Sequence, residues 1–187
     1  MYQFVKNNQE KANVFNTVLA VLAIVFTSRE LFADGTVMDK ISASVFILGL
    51  LSGLLYIASG YKKNANVYYK GFMIVYALQS VYCVVTKLCR NLPGGMDVLR
   101  IITTVCLIIA AICVVILAFN KNLGVSKSLA LAAVNFFAII VRVAIVIFFM
   151  EGTIVLPGFW FTKIITAALA YEFVIGKYVD KEARGTK

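Results

Sequence analysis

Arg142 is the residue of this chain that most needs a chemical explanation. It stands about 14 residues into an apolar run that begins near Ser128, roughly 21 Å along a helix rising 1.5 Å per residue. A guanidinium carried that deep into hydrocarbon costs about 2.5–3.5 kcal/mol on insertion scales, so it must meet a partner or water. Glu30 reaches a similar depth, about 17 residues after Asn13, or roughly 25 Å. Lys163 falls near the same level, just after Gly158, and Arg29, Lys87, Arg90 and Arg100 crowd it. Two readings of this cluster are open. In one, Glu30 pairs with Arg142 and fixes helix register, while Lys163, Lys87 and Arg29 snorkel to headgroups. In the other, Arg142 and Lys163 anchor an anionic or zwitterionic ligand in a cavity open to the outside. Gln79, Asn135 and Thr103 then supply hydrogen bonds, Glu30 offsets part of the positive charge, and Trp160 stacks on the ligand or closes over it.

Much other chemistry is excluded by composition. The chain has no histidine, which removes the commonest general base near neutral pH and the commonest metal ligand. The four cysteines, Cys83, Cys89, Cys106 and Cys113, show no C-x-x-C spacing. They read as small packing residues, with an outer disulfide through Cys89 as the lesser alternative. No metal, no cofactor and no catalytic motif is expected, and no phosphate-cradling loop is present. Intramembrane peptidases that use a His–Cys pair are ruled out. DGTVMDK, spanning 34–40, is not the clustered-aspartate helix of a phosphoalcohol transferase.

The elements that position these side chains are helices in a bilayer. Of 187 residues, 61% are hydrophobic and 14% charged, against about 45–50% and about 25% in a soluble domain. Six apolar runs, near 13–33, 41–60, 71–88, 98–119, 128–150 and 158–176, each have about the 17–25 residues that span hydrocarbon. Lipid leaves backbone groups no outside partner, so the runs are helices. The fold class is therefore all-α: a polytopic six-transmembrane-helix bundle of three antiparallel hairpins, 1–176, with a short tail, 177–187. The net charge of +9 belongs to lysine-rich loops and anionic headgroups rather than to nucleic acid.

Lys6, Lys11, Lys62, Lys63, Lys70, Lys121, Lys127, Lys177, Lys181, Arg184 and Lys187 flank one side, and only Lys40, Arg90 and Arg100 the other. That bias places both termini in the cytoplasm of a cell-membrane protein. The opposite loops collect acids, Asp34, Asp39, Asp97 and Glu151. Tyr61, Tyr68, Tyr69 and Tyr178 belong at the inner interface, and Phe159 and Trp160 at the outer one. The first run is span-length with no small-x-small site after it, so it reads as an uncleaved helix.

Polar and small residues recur at helical spacing in every run, as interfaces between membrane helices require. The stripes are Asn13, Asn16, Ala20, Ala23, Thr27, Glu30; Ser42, Val45, Gly49, Ser52, Tyr56, Ser59; Tyr76, Gln79, Cys83, Thr86, Arg90; Arg100, Thr103, Cys106, Ala110, Cys113; Ser128, Asn135, Arg142; and Lys163, Thr166, Ala170. Gly49 and Gly53 form a small-x-x-x-small pair that would also suit a homodimer. Glu172 reads as interfacial, within reach of Lys177. Gly35/Lys40, Gly94/Arg100 and Gly158/Lys163 hint at a threefold hairpin repeat, though short loops alone give such a period.

These features point to two functions. One is capture or transport of a small anionic or zwitterionic solute. The other is a non-catalytic accessory, assembly, immunity or sensor subunit whose partner is another membrane protein. Length, span count and terminal sides resemble the substrate-binding subunits of energy-coupling-factor vitamin transporters. That likeness is architectural, and it implies solute capture without assigning any residue a role.

Overall fold

A computed structural model of the protein describes residues 9–60, 65–91, 98–120, 123–149 and 157–185. Lys6, Tyr61, Lys62, Lys63, Gly94, Asp97, Lys121, Glu151 and Lys187 lie outside the described residues, as do the side chains of Lys11, Arg90, Phe159, Tyr178, Lys181 and Arg184.

The described residues form six helices: α1 Gln9–Phe32, α2 Val37–Ala58, α3 Asn66–Asn91, α4 Val98–Phe119, α5 Val125–Phe149 and α6 Pro157–Gly185. Five of them, α1 to α5, are long and apolar enough to cross a membrane. This is the architecture of an integral, multi-pass membrane protein. The sixth is long enough but less apolar, with Lys163 and Glu172 inside its central stretch. The reason is position. Ten of residues 160–177 are buried, against 22% of the apolar window of α1. A helix wrapped by its neighbours shows little surface to lipid and tolerates polar residues. α6 also continues as helix to Gly185, so most of the expected tail is helical.

Each helix packs on its neighbours in sequence, and α6 packs back on α1, which closes a ring. α3 and α6 touch across the middle. The proximal end of the bundle holds the start of α1 and the end of α6; the distal end holds the α1–α2 turn. That turn is built locally. Thr36 caps α2 by accepting from the Asp39 N–H at 3.2 Å, and the Asp39 carboxylate accepts from the Thr36 N–H at 3.1 Å. The reciprocal pair satisfies two otherwise orphan donors. At the other end of α2, Gly60 takes φ +64°, a left-handed turn that side chains disfavour.

No hydrophobic force drives helices together in lipid, so close packing must do so. α2 and α3 show how. A Cβ on Gly49 would lie 2.5 Å from Val75 Cγ1, and one on Gly71 would lie 2.8 Å from Ser52 Oγ. A Cβ on Gly53 would meet the Phe72 and Phe173 rings at 3.1 Å. Gly49 and Gly53 thus face the protein's own α3 and α6. The close approach they permit is within the chain, not across the expected homodimer face.

The predicted stripes of α1, α5 and α6 point inward: Asn16, Ala20, Ala23 and Thr27; Ser128, Asn135 and Arg142; Lys163, Thr166 and Ala170 are all buried. So are Thr103, Ala110 and Cys113 on α4. On α2 the inner face is Ala43, Phe46, Gly49, Leu50, Gly53, Tyr56 and Ile57: Gly49 and Tyr56 of the expected stripe belong to it, Ser42, Ser52 and Ser59 are half-buried at its edge, and Val45 is exposed. The centre of the face is shifted from the serines toward Phe46, Leu50 and Ile57, because the interior here is largely apolar and polarity does not mark it.

Candidate functional site

The interior of the ring divides by depth. Toward the proximal end it is filled by rings. Tyr56 packs on Tyr69 at 5.6 Å and on Phe173 at 5.3 Å, and Phe173 meets Phe72 edge-on at 4.8 Å. All four side chains are buried, with Met73, Leu50 and Leu169 around them. Lys177 lies over the Tyr69 ring at 4.8 Å. The α3–α6 contact across the ring is this aromatic plug.

Above it lies a polar layer. Tyr76 Oη and the Asn135 amide meet at 3.3 Å, joining α3 to α5. Both residues are buried. Ser42 Oγ donates to Gln79 Oε1 at 2.6 Å, joining α2 to α3. Further along α3, Tyr82 donates to Asp39 at 3.0 Å and Lys87 Nζ donates to Thr103 Oγ1 at 2.7 Å. α3 is therefore the hub: Tyr76, Gln79, Tyr82, Cys83 and Lys87 each reach a different part of the bundle.

Arg142 and Lys163 sit in this distal half, and each is only 8% exposed. Lys163 Nζ lies 3.6 Å from Cys83 Sγ and 5.5 Å from the Phe46 ring centre. Its charge is also close enough to act on Glu30. The Arg142 guanidinium lies 5.2 Å from the Trp160 ring centre, within cation–π range. Lys87 and the Cys83 and Cys106 thiols lie in its electrostatic surroundings. Its Nε is fully enclosed and makes no hydrogen bond.

The expected Glu30–Arg142 pair is not formed. Among the described residues no ion pair or hydrogen bond joins the two. The physical reason is ring order. Equal depth is not adjacency: α6 stands between α1 and α5. Glu30 therefore lies near Lys163, while Arg142 lies against Trp160, one turn earlier on α6.

The structure thus brings Arg142, Lys163 and Trp160 together, with Glu30 at the edge, and separates the expected hydrogen-bond donors. Thr103 has given its one proton to the Arg100 carbonyl at 3.0 Å, and Lys87 occupies its oxygen. Asn135 shares a face with Arg142, but it lies two turns below, roughly 10 Å at 1.5 Å per residue, and is held by Tyr76. It belongs to the floor. Gln79 has its carbonyl committed to Ser42 and keeps its amide N–H groups for another acceptor.

Two residues read from sequence as packing lie at the centre instead. Cys83 accepts from Lys163, and with Cys106 it shares the surroundings of Arg142. The signal was present, since Cys83 falls on the Tyr76, Gln79, Thr86 stripe and Cys106 on the Thr103, Ala110 stripe. All four cysteines are free thiols.

The electrostatics are one-sided. Lys87, Arg142 and Lys163 project into the distal interior, and the acids near them are Glu30 and Asp39. Asp39 is already engaged by Tyr82 and the α2 cap. Such an arrangement can hold an anion by charge and by directed N–H groups, with an aromatic face alongside. Comparison with known proteins finds no matching family model, no matching curated protein and no matching solved structure.

Proposed function

We propose that the protein captures a small anionic or zwitterionic solute in the distal half of the bundle, between Arg142 and Lys163, without chemical change. The observation that carries this reading is the enclosed Arg142 Nε with no hydrogen-bond acceptor. A buried charged donor left unpaired costs at least about 1–3 kcal/mol, and an anion would remove that cost. Trp160 is the flat wall of the site, and Gln79 offers amide donors from α3. Glu30, near Lys163, suits the cationic end of a zwitterion.

The aromatic plug below favours capture over an open pore. With the lysine-rich ends cytoplasmic, the site faces outward, and passage of the solute would require the Tyr56, Phe72 and Phe173 rings to part. No nucleotide-binding loop is present, so active uptake would draw on a partner or an ion gradient.

A second reading has its own support: Thr103 and Asn135 are satisfied inside the bundle, as in an accessory subunit that binds no solute. One experiment separates the two. The protein is purified gently, bound small molecules are released, and they are identified by mass spectrometry beside an Arg142→Ala control. An anion present in the wild type and absent from the variant supports capture. A co-purifying membrane protein with no small molecule supports the accessory role.

A further inference from the structure

The two enclosed cations of the distal half have soft neighbours. Lys163 Nζ lies 3.6 Å from Cys83 Sγ and 5.5 Å from the centre of the Phe46 ring. The Arg142 guanidinium lies 5.2 Å from the centre of the Trp160 ring, and the Cys83 and Cys106 thiols are in its surroundings. A thiol donates weakly, and an aromatic edge carries only a small positive charge. Hydroxyls that could have served an anion are turned back on the backbone. Thr27, Ser80, Thr86, Thr103 and Thr166 each donate to a carbonyl of their own helix at 2.7–3.0 Å. The Asn135 amide is held by Tyr76 at 3.3 Å. An incoming anion therefore meets full charge but few neutral donors among the described residues.

That imbalance sets a selectivity. An anion that enters must give up its hydration shell, and the protein must replace it. The desolvation cost rises with the square of the ionic charge, whereas attraction to fixed cations rises only in proportion to it. The cost also falls as the ion grows. Sulfate and phosphate hold water through several oxygens at high charge, and much of that hydration would go unreplaced here. A large, singly charged ion loses less on leaving water, and its polarisable surface suits thiols and rings. Both cations are 8% exposed, which favours an ion of a few atoms over a bulky organic solute.

We infer that the ligand held between Arg142 and Lys163 is a weakly hydrated, singly charged inorganic anion, such as a heavy halide or a pseudohalide, and that sulfate and phosphate are refused. This rests on the capture reading and narrows it to an anion without a cationic end. The cations supply the attraction, and the thiols and rings around them supply the choice.

Trp160 is the only tryptophan in the chain, so its fluorescence reports on the site. Iodide quenches an indole ring on contact. Titrated into purified protein at constant ionic strength made up with sodium gluconate, iodide should quench with saturation. Arg142→Met should leave only the linear, collisional part. Competitors then rank the anions on the wild type. Perchlorate should restore the emission at lower concentration than chloride. Sulfate and phosphate should need at least about tenfold more than perchlorate, the worth of one unreplaced hydrogen bond to a charged group. Saturable quenching that sulfate or phosphate reverses as well as perchlorate does overturns the inference and leaves capture standing. Saturable quenching that survives Arg142→Met puts the anion elsewhere and overturns both. Strictly linear quenching of the wild type overturns the inference too, and capture then stands only if the purified protein releases an organic anion.

Discussion

The two halves of the bundle interior solve the same packing problem by opposite means. The proximal half closes the ring with aromatic side chains that have no charge to satisfy: Tyr56, Tyr69, Phe72 and Phe173 meet one another at 4.8–5.6 Å. The distal half leaves Arg142 and Lys163 inside, tied by a thiol, two rings and no acid to Arg142. In lipid, helices gain stability from contact and from hydrogen bonds, not from expelling water. The proximal rings therefore stabilise the fold. The distal cations burden it and persist because something else uses them. Stability should reside in one half and binding in the other.

The largest expected effect tests the first clause. Phe173→Ala opens a hole where Tyr56, Phe72 and Gly53 converge. It should cost about 3 kcal/mol, the lower end for a buried ring, since lipid rather than water is the reference. Unfolding midpoints in detergent measure this. The surviving folded protein should bind its solute with unchanged affinity. Loss of binding in step with loss of stability would show that the halves are not separate.

Arg142→Met is the converse. Removing a charge-assisted contact should weaken solute binding by about 1.5–3 kcal/mol, 10- to 150-fold. Removal of a buried, unpaired donor should leave the solute-free protein at least as stable as wild type. A fall in the unfolding midpoint would place Arg142 among the structural residues and break the contrast.

Next in size is Gly49→Leu. Its side chain enters the space of Val75, whose Cγ1 would be 2.5 Å from the new Cβ. Overpacking of this kind costs about 1–3 kcal/mol, and Val75→Ala in the same chain should return part of it. If Gly49→Leu instead alters only the oligomeric state in detergent, the glycine face is external after all.

How much of this arrangement was legible depended on contrast. On α5, Ser128, Asn135 and Arg142 stand out from Val, Ile and Phe, and the heptad spacing marked the inner face correctly. On α2 the small and polar pattern found Gly49 and Tyr56 but missed Phe46, Leu50 and Ile57, which are chemically the same as the lipid face. Partners were less legible than faces. Depth follows from counting residues, and counting put Glu30 level with Arg142. Which helices touch is set by the closing of the ring, and α6 took the place between them. The donors assigned to a ligand failed for a related reason. Thr103 and Asn135 were polar and inward, but Lys87 and Tyr76 on α3 reach them first, and no spacing rule on a single helix reveals a partner on the next.

The smallest expected effect falls on the boundary between the halves and sharpens it most. Tyr76→Phe removes one hydroxyl at the junction of the aromatic plug and the polar layer, where Tyr76 stacks near Phe72 at 6.1 Å and meets Asn135 at 3.3 Å. Hydrogen bonds between membrane helices average about 0.6 kcal/mol, and this long one should be worth no more. The ring stays, so packing is unchanged. The informative readout is affinity. With Asn135 in the floor, two turns below Arg142, freeing its amide leaves solute binding as it was. If Asn135 instead contacts the solute, its released amide gains a donor for the ligand, and affinity rises while stability falls. Opposite signs from one substitution would move the floor of the site down to Asn135, and matching silence would fix it above.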